Sequence, residues 1–278
     1  MKVSVVILSK TDSEQMFAMI CNCINSLLNS ETQYQFEIIV VESNCSFKDS
    51  GYNLPKNVNV IIPNKKFNFH EFLNIGIKKS TSSYIALCNN DLLFERNWFS
   101  EIMKISEKNN DIMSFSPTEK ALHLKKGFEV GYKIMHHLKG WCVVMKKELI
   151  DKTGFLDEKF DLYYADNDYA MMLRKYNIKH ALVGNSIVKH LEKQTSKYLL
   201  SNDKISNVVL NKYSIPDYLY EKQYDWVFQS EVNLSGFLKF YGKWGNPKIL
   251  YRKNKIADFF IKNHLGFINK FFLNINND

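Results

Sequence analysis

Four residues able to do chemistry stand just after apolar runs or beside a helical pattern. Asp91 ends Tyr84-Ile85-Ala86-Leu87-Cys88-Asn89-Asn90, and His190 follows the apolar stretch 181–189. Asp166 and Asp168 lie in Tyr163-Tyr164-Ala165-Asp166-Asn167-Asp168, at the start of a pattern containing Ala170, Met171, Leu173 and Arg174. A carboxylate left unpaired inside a core costs several kcal/mol, so Asp91 is expected at the rim. Two readings of it are open. It caps a helix starting around Glu95, with its carboxylate on free backbone N–H groups, or it holds a divalent cation together with His190. Hard ligands with few protein contacts suit Mg²⁺ or Mn²⁺, with phosphate oxygens completing the shell. Acids such as Asp166 and Asp168 favour a helix N-terminus electrostatically, and one of them could also act as general base toward an acceptor hydroxyl. A base beside a metal-bound diphosphate suits transfer of a group from an activated nucleotide. Neither GxxxxGK[ST] nor GxGxxG occurs, so other phosphate cradles are poorly supported.

The elements that must position these residues alternate. Val3–Leu8, Phe36–Val41, Val58–Ile62 and Tyr84–Cys88 read as buried strands. Helices are expected from a cap at Asp12 or Ser13 to about Asn29, and over Phe69–Lys79. Further on, Trp141–Met145 resumes a strand and Glu148–Thr153 forms a short helix closed by Gly154. The order predicts an open, mostly parallel α/β sheet flanked by helices, whose ligands bind past the carboxyl ends of the strands. Ser9, Glu42 and Asp91 all fall there.

With 278 residues, 45% hydrophobic and 24% charged, the chain can build a sizeable core. Its five cysteines are scattered and odd in number, which suggests reduced thiols and a cytoplasmic setting. Much of the +8 charge falls after Glu231, where aromatic and basic residues interleave. Ile256, Phe259, Phe260, Phe267, Phe271 and Phe272 recur at helical spacing. Residues 206–278 therefore read as a basic, mainly helical extension on a catalytic domain of residues 1–205. Its aromatics suit packing on that domain, a homo-oligomer, or peripheral contact with the inner face of a membrane. No recognised module supports a nucleic-acid partner.

Several motifs together resemble the inverting family 2 glycosyltransferases of the GT-A (Rossmann-like) fold. They are Val3-Ser4-Val5-Val6-Ile7 with Ser9, Glu37-Ile38-Ile39-Val40-Val41-Glu42-Ser43, Asn74-Ile75-Gly76-Ile77, and Asn89-Asn90-Asp91. Gly140-Trp141, Gly154-Phe155-Leu156-Asp157-Glu158, Tyr163 through Asp168 with Arg174, and His190 complete the set over roughly residues 1–195. The resemblance implies a metal-dependent enzyme that moves a sugar from a nucleoside diphosphate, UDP foremost, to a hydroxyl of a glycan, glycoprotein or lipid-linked acceptor. It places Asp91 and His190 on Mn²⁺ or Mg²⁺, and Ser9, Glu42, Asn74, Asn90 and Asp91 at the donor. Asp166 becomes the base, and Trp141, Tyr164 and Asp168 border sugar and acceptor. Ala165 departs from the family's usual Glu, which keeps a non-catalytic glycan-binding or scaffold protein as the alternative.

Overall fold

The computed structural model describes residues 1–191, 205 and 207–273. Nine strands form one sheet: β1 (Lys2–Ser9), β2 (Gln35–Glu42), β3 (Val58–Ile61), β4 (Tyr84–Asn89), β5 (Leu92–Phe94), β6 (Ile112–Thr118), β7 (Phe128–Val130), β8 (Cys142–Lys146) and β9 (Lys179–His190). Their order is β3-β2-β1-β4-β8-β6-β9-β5, with β7 also paired to β9. The half containing β3, β2, β1 and β4 is parallel. Beyond it the sheet is mixed, because β8 runs antiparallel between β4 and β6 while β6 and β9 pair in parallel.

The continuous apolar run of β1 follows from burial on both faces. Val3, Val5 and Ile7 enter one core with Ile20, Cys23, Ile24 and Leu27 of helix α1 (Glu14–Leu28). Val6 and Leu8 enter a second core with Phe72, Leu73 and Ile77 of helix α2 (Phe69–Lys79). The α1 residues recur at three- and four-residue spacing, the stripe a helix needs to cover a sheet. Ser13 caps α1 by accepting from the Met16 N–H at 3.3 Å. Gly76 lets α2 press on β1, since a Cβ there would lie 2.2 Å from Val6 Cγ1.

The helix expected from Glu95 begins later, as α3 (Trp98–Lys108) with Asn97 at its cap position. The three residues after Asp91 instead form β5, pairing Leu92 with His190. Asp91 therefore caps no helix. Helices α4 (Glu148–Thr153) and α5 (Ala165–Lys175) follow, and Gly154 has the positive φ of 77° expected of it.

The C-terminal part contributes α6 (Glu231–Trp244), α7 (Pro247–Lys262) and α8 (Asn269–Phe272). Phe240, Trp244, Leu250, Ala257 and Leu273 share a core with Phe160, Ala165 and Met171, so these helices pack on the sheet domain through α5. The expected division at residue 205 falls beside 192–204 and 206, which lie outside the described residues. No helix among the described residues is long and apolar enough to cross a membrane. The five cysteines are free thiols, and Cys88 and Cys142 meet across β4 and β8 at 3.7 Å.

Candidate active site

Asp91 and His190 come together because β5 and β9 pair in antiparallel register there, Leu92 opposite His190. His190 Nε2 lies 3.2 Å from Asp91 Oδ1. That oxygen is buried and has no hydrogen-bond partner, so the two atoms face each other without bonding geometry. A buried, unpaired carboxylate oxygen is costly and asks for a cation. Two ligands of one octahedral divalent cation stand about 3 Å apart, so this pair fits Mg²⁺ or Mn²⁺. The imidazole is held from behind: Trp141 stacks on it at 5.5 Å and 15° between planes. Trp141 is only 6% exposed, so the ring expected to border a sugar serves as a backing plate for His190. Among the described residues, the one group of three side chains close enough to share an ion lies elsewhere, at Glu129, His136 and His137.

The loop after β1 is built around Glu42. Its Oε1 accepts from the backbone N–H of Thr11 at 3.0 Å and of Asn44 at 2.7 Å. Its Oε2 accepts from the Thr11 hydroxyl at 2.7 Å. With three partners and 0% exposure, Glu42 pins this loop. Thr11, which the sequence reading passed over, is the residue through which it acts. The Thr11 hydroxyl also meets Ser9 Oγ at 3.0 Å, and Asn90 Nδ2 reaches Ser9 Oγ at 3.4 Å. Ser9, Asn90 and Asp91 thus stand side by side at the carboxyl ends of β1 and β4.

Asp166 lies in the first turn of α5, half-buried, with Oδ1 accepting from the Asn167 N–H at 2.9 Å. It faces a small hollow lined by Leu87, Leu138, Val143, Leu156, Tyr169 and His70. Burial pushes its carboxyl above the usual range, against the hydrogen bonds from the Asn167 and Asp166 N–H groups. Gly140 permits the approach, since a Cβ there would stand 3.1 Å from Asp166 Cβ. A continuous path therefore joins Asp166 to the Asp91–His190 pair: Asp166 to Gly140, Gly140 to Trp141 along the chain, Trp141 to His190, and His190 to Asp91. His70 completes the hollow. Its Nδ1 is 2.8 Å from the Asp157 carbonyl, and burial lowers its pKa, which favours the neutral ring.

Three residues expected at donor or acceptor are committed elsewhere. Asp168 is 1% exposed and turned to α6, bonded by Trp244 Nε1 and by Lys243 Nζ, both at 2.7 Å. Lys243 also reaches Asp157 at 2.8 Å. Burial pushes the Asp168 carboxyl up, and the Lys243 charge and hydrogen bond only partly offset it. Tyr164 packs on Phe240 at 5.3 Å and against Phe237 and Tyr241. Asn74 is 0% exposed and staples the loop after α4, accepting from the Leu156 N–H and donating to the Leu156 carbonyl and Glu158. Each of the three braces the site. Lys243 and Trp244 gave no local sign of this role, because their partners lie about 75–85 residues upstream.

The comparisons with known proteins agree with this architecture. TarS from S. aureus, in a crystal structure of its residues 1–349, is similar with a TM-score of 0.50 and 14% identity, covering 68% of this chain and 59% of that one. A second TarS crystal structure gives a TM-score of 0.52 and 12% identity over 71% of this chain and 38% of that one. This chain thus spans less than two thirds of either, and at such identity the likeness concerns the fold. No curated protein is matched by sequence. The glycosyl transferase family 2 model matches residues 4–180, most of the sheet domain and all but the last strand of the candidate site. The chain belongs to glycosyl transferase family 2.

Proposed function

We propose that this glycosyltransferase moves a sugar from a nucleoside-diphosphate donor to an acceptor hydroxyl with inversion, using Asp166 as base and a divalent cation at Asp91 and His190. The observation that carries the reading is the orphaned Asp91 Oδ1 facing His190 Nε2, linked through Trp141 and Gly140 to a carboxylate of raised pKa. A cation bound there would offset the charge developing on the leaving diphosphate. Ser9 and Asn90 are set to bond the donor beside it, while Glu42 and Thr11 hold their loop in place.

In the transfer, the acceptor oxygen attacks the anomeric carbon from the face opposite the diphosphate. Its proton passes to Asp166 as the new carbon–oxygen bond forms. The bond to the diphosphate breaks, and its electron pair leaves with the phosphate oxygen. A carboxylate of raised pKa is a stronger base than an ordinary one, provided it is still ionised at the working pH. Its raised pKa comes from the apolar hollow, so the residues lining that hollow tune the base. The donor's nucleotide is expected to be UDP, and the acceptor a glycan, glycoprotein or lipid-linked sugar in the cytosol.

The test is donor binding and turnover across UDP-, GDP- and dTDP-sugars with Mn²⁺, for wild type, Asp91→Ala and Asp166→Asn. One nucleotide class should bind in a metal-dependent way. Asp91→Ala should weaken that binding about 10- to 100-fold. Asp166→Asn should retain binding and lose turnover about 10²- to 10⁴-fold. Normal turnover in Asp166→Asn would remove the base assignment, and no binding by any donor would leave a scaffold protein in its place.

A further inference from the structure

The C-terminal helices bury one side against the sheet domain and leave the other with a composition that calls for a partner. On α7 the inner face places Leu250 and Ala257 in the core shared with Phe160 and Met171. The outer face carries Arg252, Lys255, Phe259 and Lys262, all exposed. Their spacings of three, four and three residues put them on one strip of the helix. Tyr251 (63% exposed) and Ile256 (42%) flank the strip, and Phe267 (63%) and Phe271 (72%) are exposed beyond the helix end.

From Pro247 to Leu273 there are six Lys or Arg against one acid, Asp258. That acid is bonded to Arg174 at 2.8 Å, so it neutralises a cation of the sheet domain rather than one of this strip. The aromatics of this region divide: Phe272 packs against the core shared with α5, while Phe259, Phe267 and Phe271 stay exposed.

We propose that this face rests on an anionic lipid surface. Bulky aromatics beside flexible cations match a bilayer interface, where the rings enter the headgroup boundary and the amines reach phosphates. Charge argues against a second copy of the chain on this face. In a two-fold dimer the strip would meet itself, and cation would face cation. Nucleic acid would use the cations and rings, but it offers nothing to the exposed aliphatics Ile249, Ile256 and Leu265. Exposed patches of this mixed kind on a folded chain mark interaction sites. The inference concerns attachment, so it stands whether or not the transferase reading is right.

The experiment is sedimentation of the full chain with vesicles of phosphatidylcholine alone and with added phosphatidylglycerol, at low and high salt. Wild type should co-sediment only with the anionic vesicles, and high salt should release it. Arg252→Ser with Lys255→Ser, and separately Phe259→Ser with Phe271→Ser, should each cut the vesicle-bound fraction at least about tenfold, with melting temperature and donor binding as in wild type. No co-sedimentation overturns the proposal. So does vesicle binding at the wild-type level by both double variants. Without lipid, light scattering showing a dimer that either double variant dissolves would assign the face to a second copy instead. Unaltered donor binding in both variants separates any failure here from a failure of the transferase reading.

Discussion

Asp91 and Asp168 are both aspartates, 4% and 1% exposed, and both were expected to meet ligands. At Asp91 one buried oxygen is left without a hydrogen bond, facing only a histidine. At Asp168 the carboxylate is held by an indole N–H and an ammonium, each at 2.7 Å. The first arrangement leaves an unpaired oxygen at the sheet rim, which under the proposed function is kept for a cation. The second closes a joint between α5 and α6 and asks for nothing further. Burial alone does not distinguish these two carboxylates; the partners of their oxygens do.

The largest effect should come from unmaking the joint. Lys243→Met leaves Asp168 buried with the Trp244 N–H as its one remaining partner, and removes the Asp157 contact as well. Breaking a buried pair on one side costs about 3–5 kcal/mol, a melting temperature lower by about 10 °C. Asp91→Ala, which removes an unsatisfied oxygen at the rim, should by contrast melt within about 2 °C of wild type. Differential scanning calorimetry of the two variants decides, and equal losses would erase the distinction.

A middle-sized effect is expected at Thr11. Thr11→Val deletes the hydroxyl that donates to Glu42 at 2.7 Å while keeping the side chain's volume. A buried hydrogen bond to a carboxylate is worth about 2 kcal/mol, and donor affinity should drop with it, because the loop carrying Ser9 loosens. If stability falls and donor affinity does not, the loop braces the fold without shaping the donor site.

The same contrast explains what the sequence made legible. Strands buried on both faces leave continuous apolar runs, so β1, β2 and β4 could be read directly, and Ser13 and Gly154 mark local geometry that needs no distant partner. The meeting of Asp91 with His190 could be anticipated because both follow apolar strands whose ends come to one rim. The roles of Glu42, Asn74, Tyr164 and Asp168 did not, since each depends on what its polar atoms or ring meet far along the chain. Asn74 meets Leu156 and Asp168 meets Trp244, contacts spanning 82 and 76 residues. β5 was missed because three residues carry no period, and it forms only where β9 supplies a neighbour.

The smallest effect tests whether Asp166 belongs with the rim or with the joint. Its folded pKa is raised by burial, so the protonated form is the one the fold prefers. The preference contributes stability fully below the unfolded pKa of about 3.9, and it is lost as pH rises through the higher folded value. Catalysis runs the other way, because only the ionised form can take a proton from the acceptor. Turnover should therefore climb with pH across the same window in which the fold weakens. Asp166→Asn keeps an oxygen for the Asn167 N–H but cannot ionise. It should lose the pH dependence of melting from this group and melt about 2–4 °C above wild type at neutral pH, a gain of about 1 kcal/mol. A stabilised, inactive variant places Asp166 with Asp91, as a group whose charge is kept for a ligand. A destabilised one would place it with Asp168, as a second clasp between α5 and its neighbours.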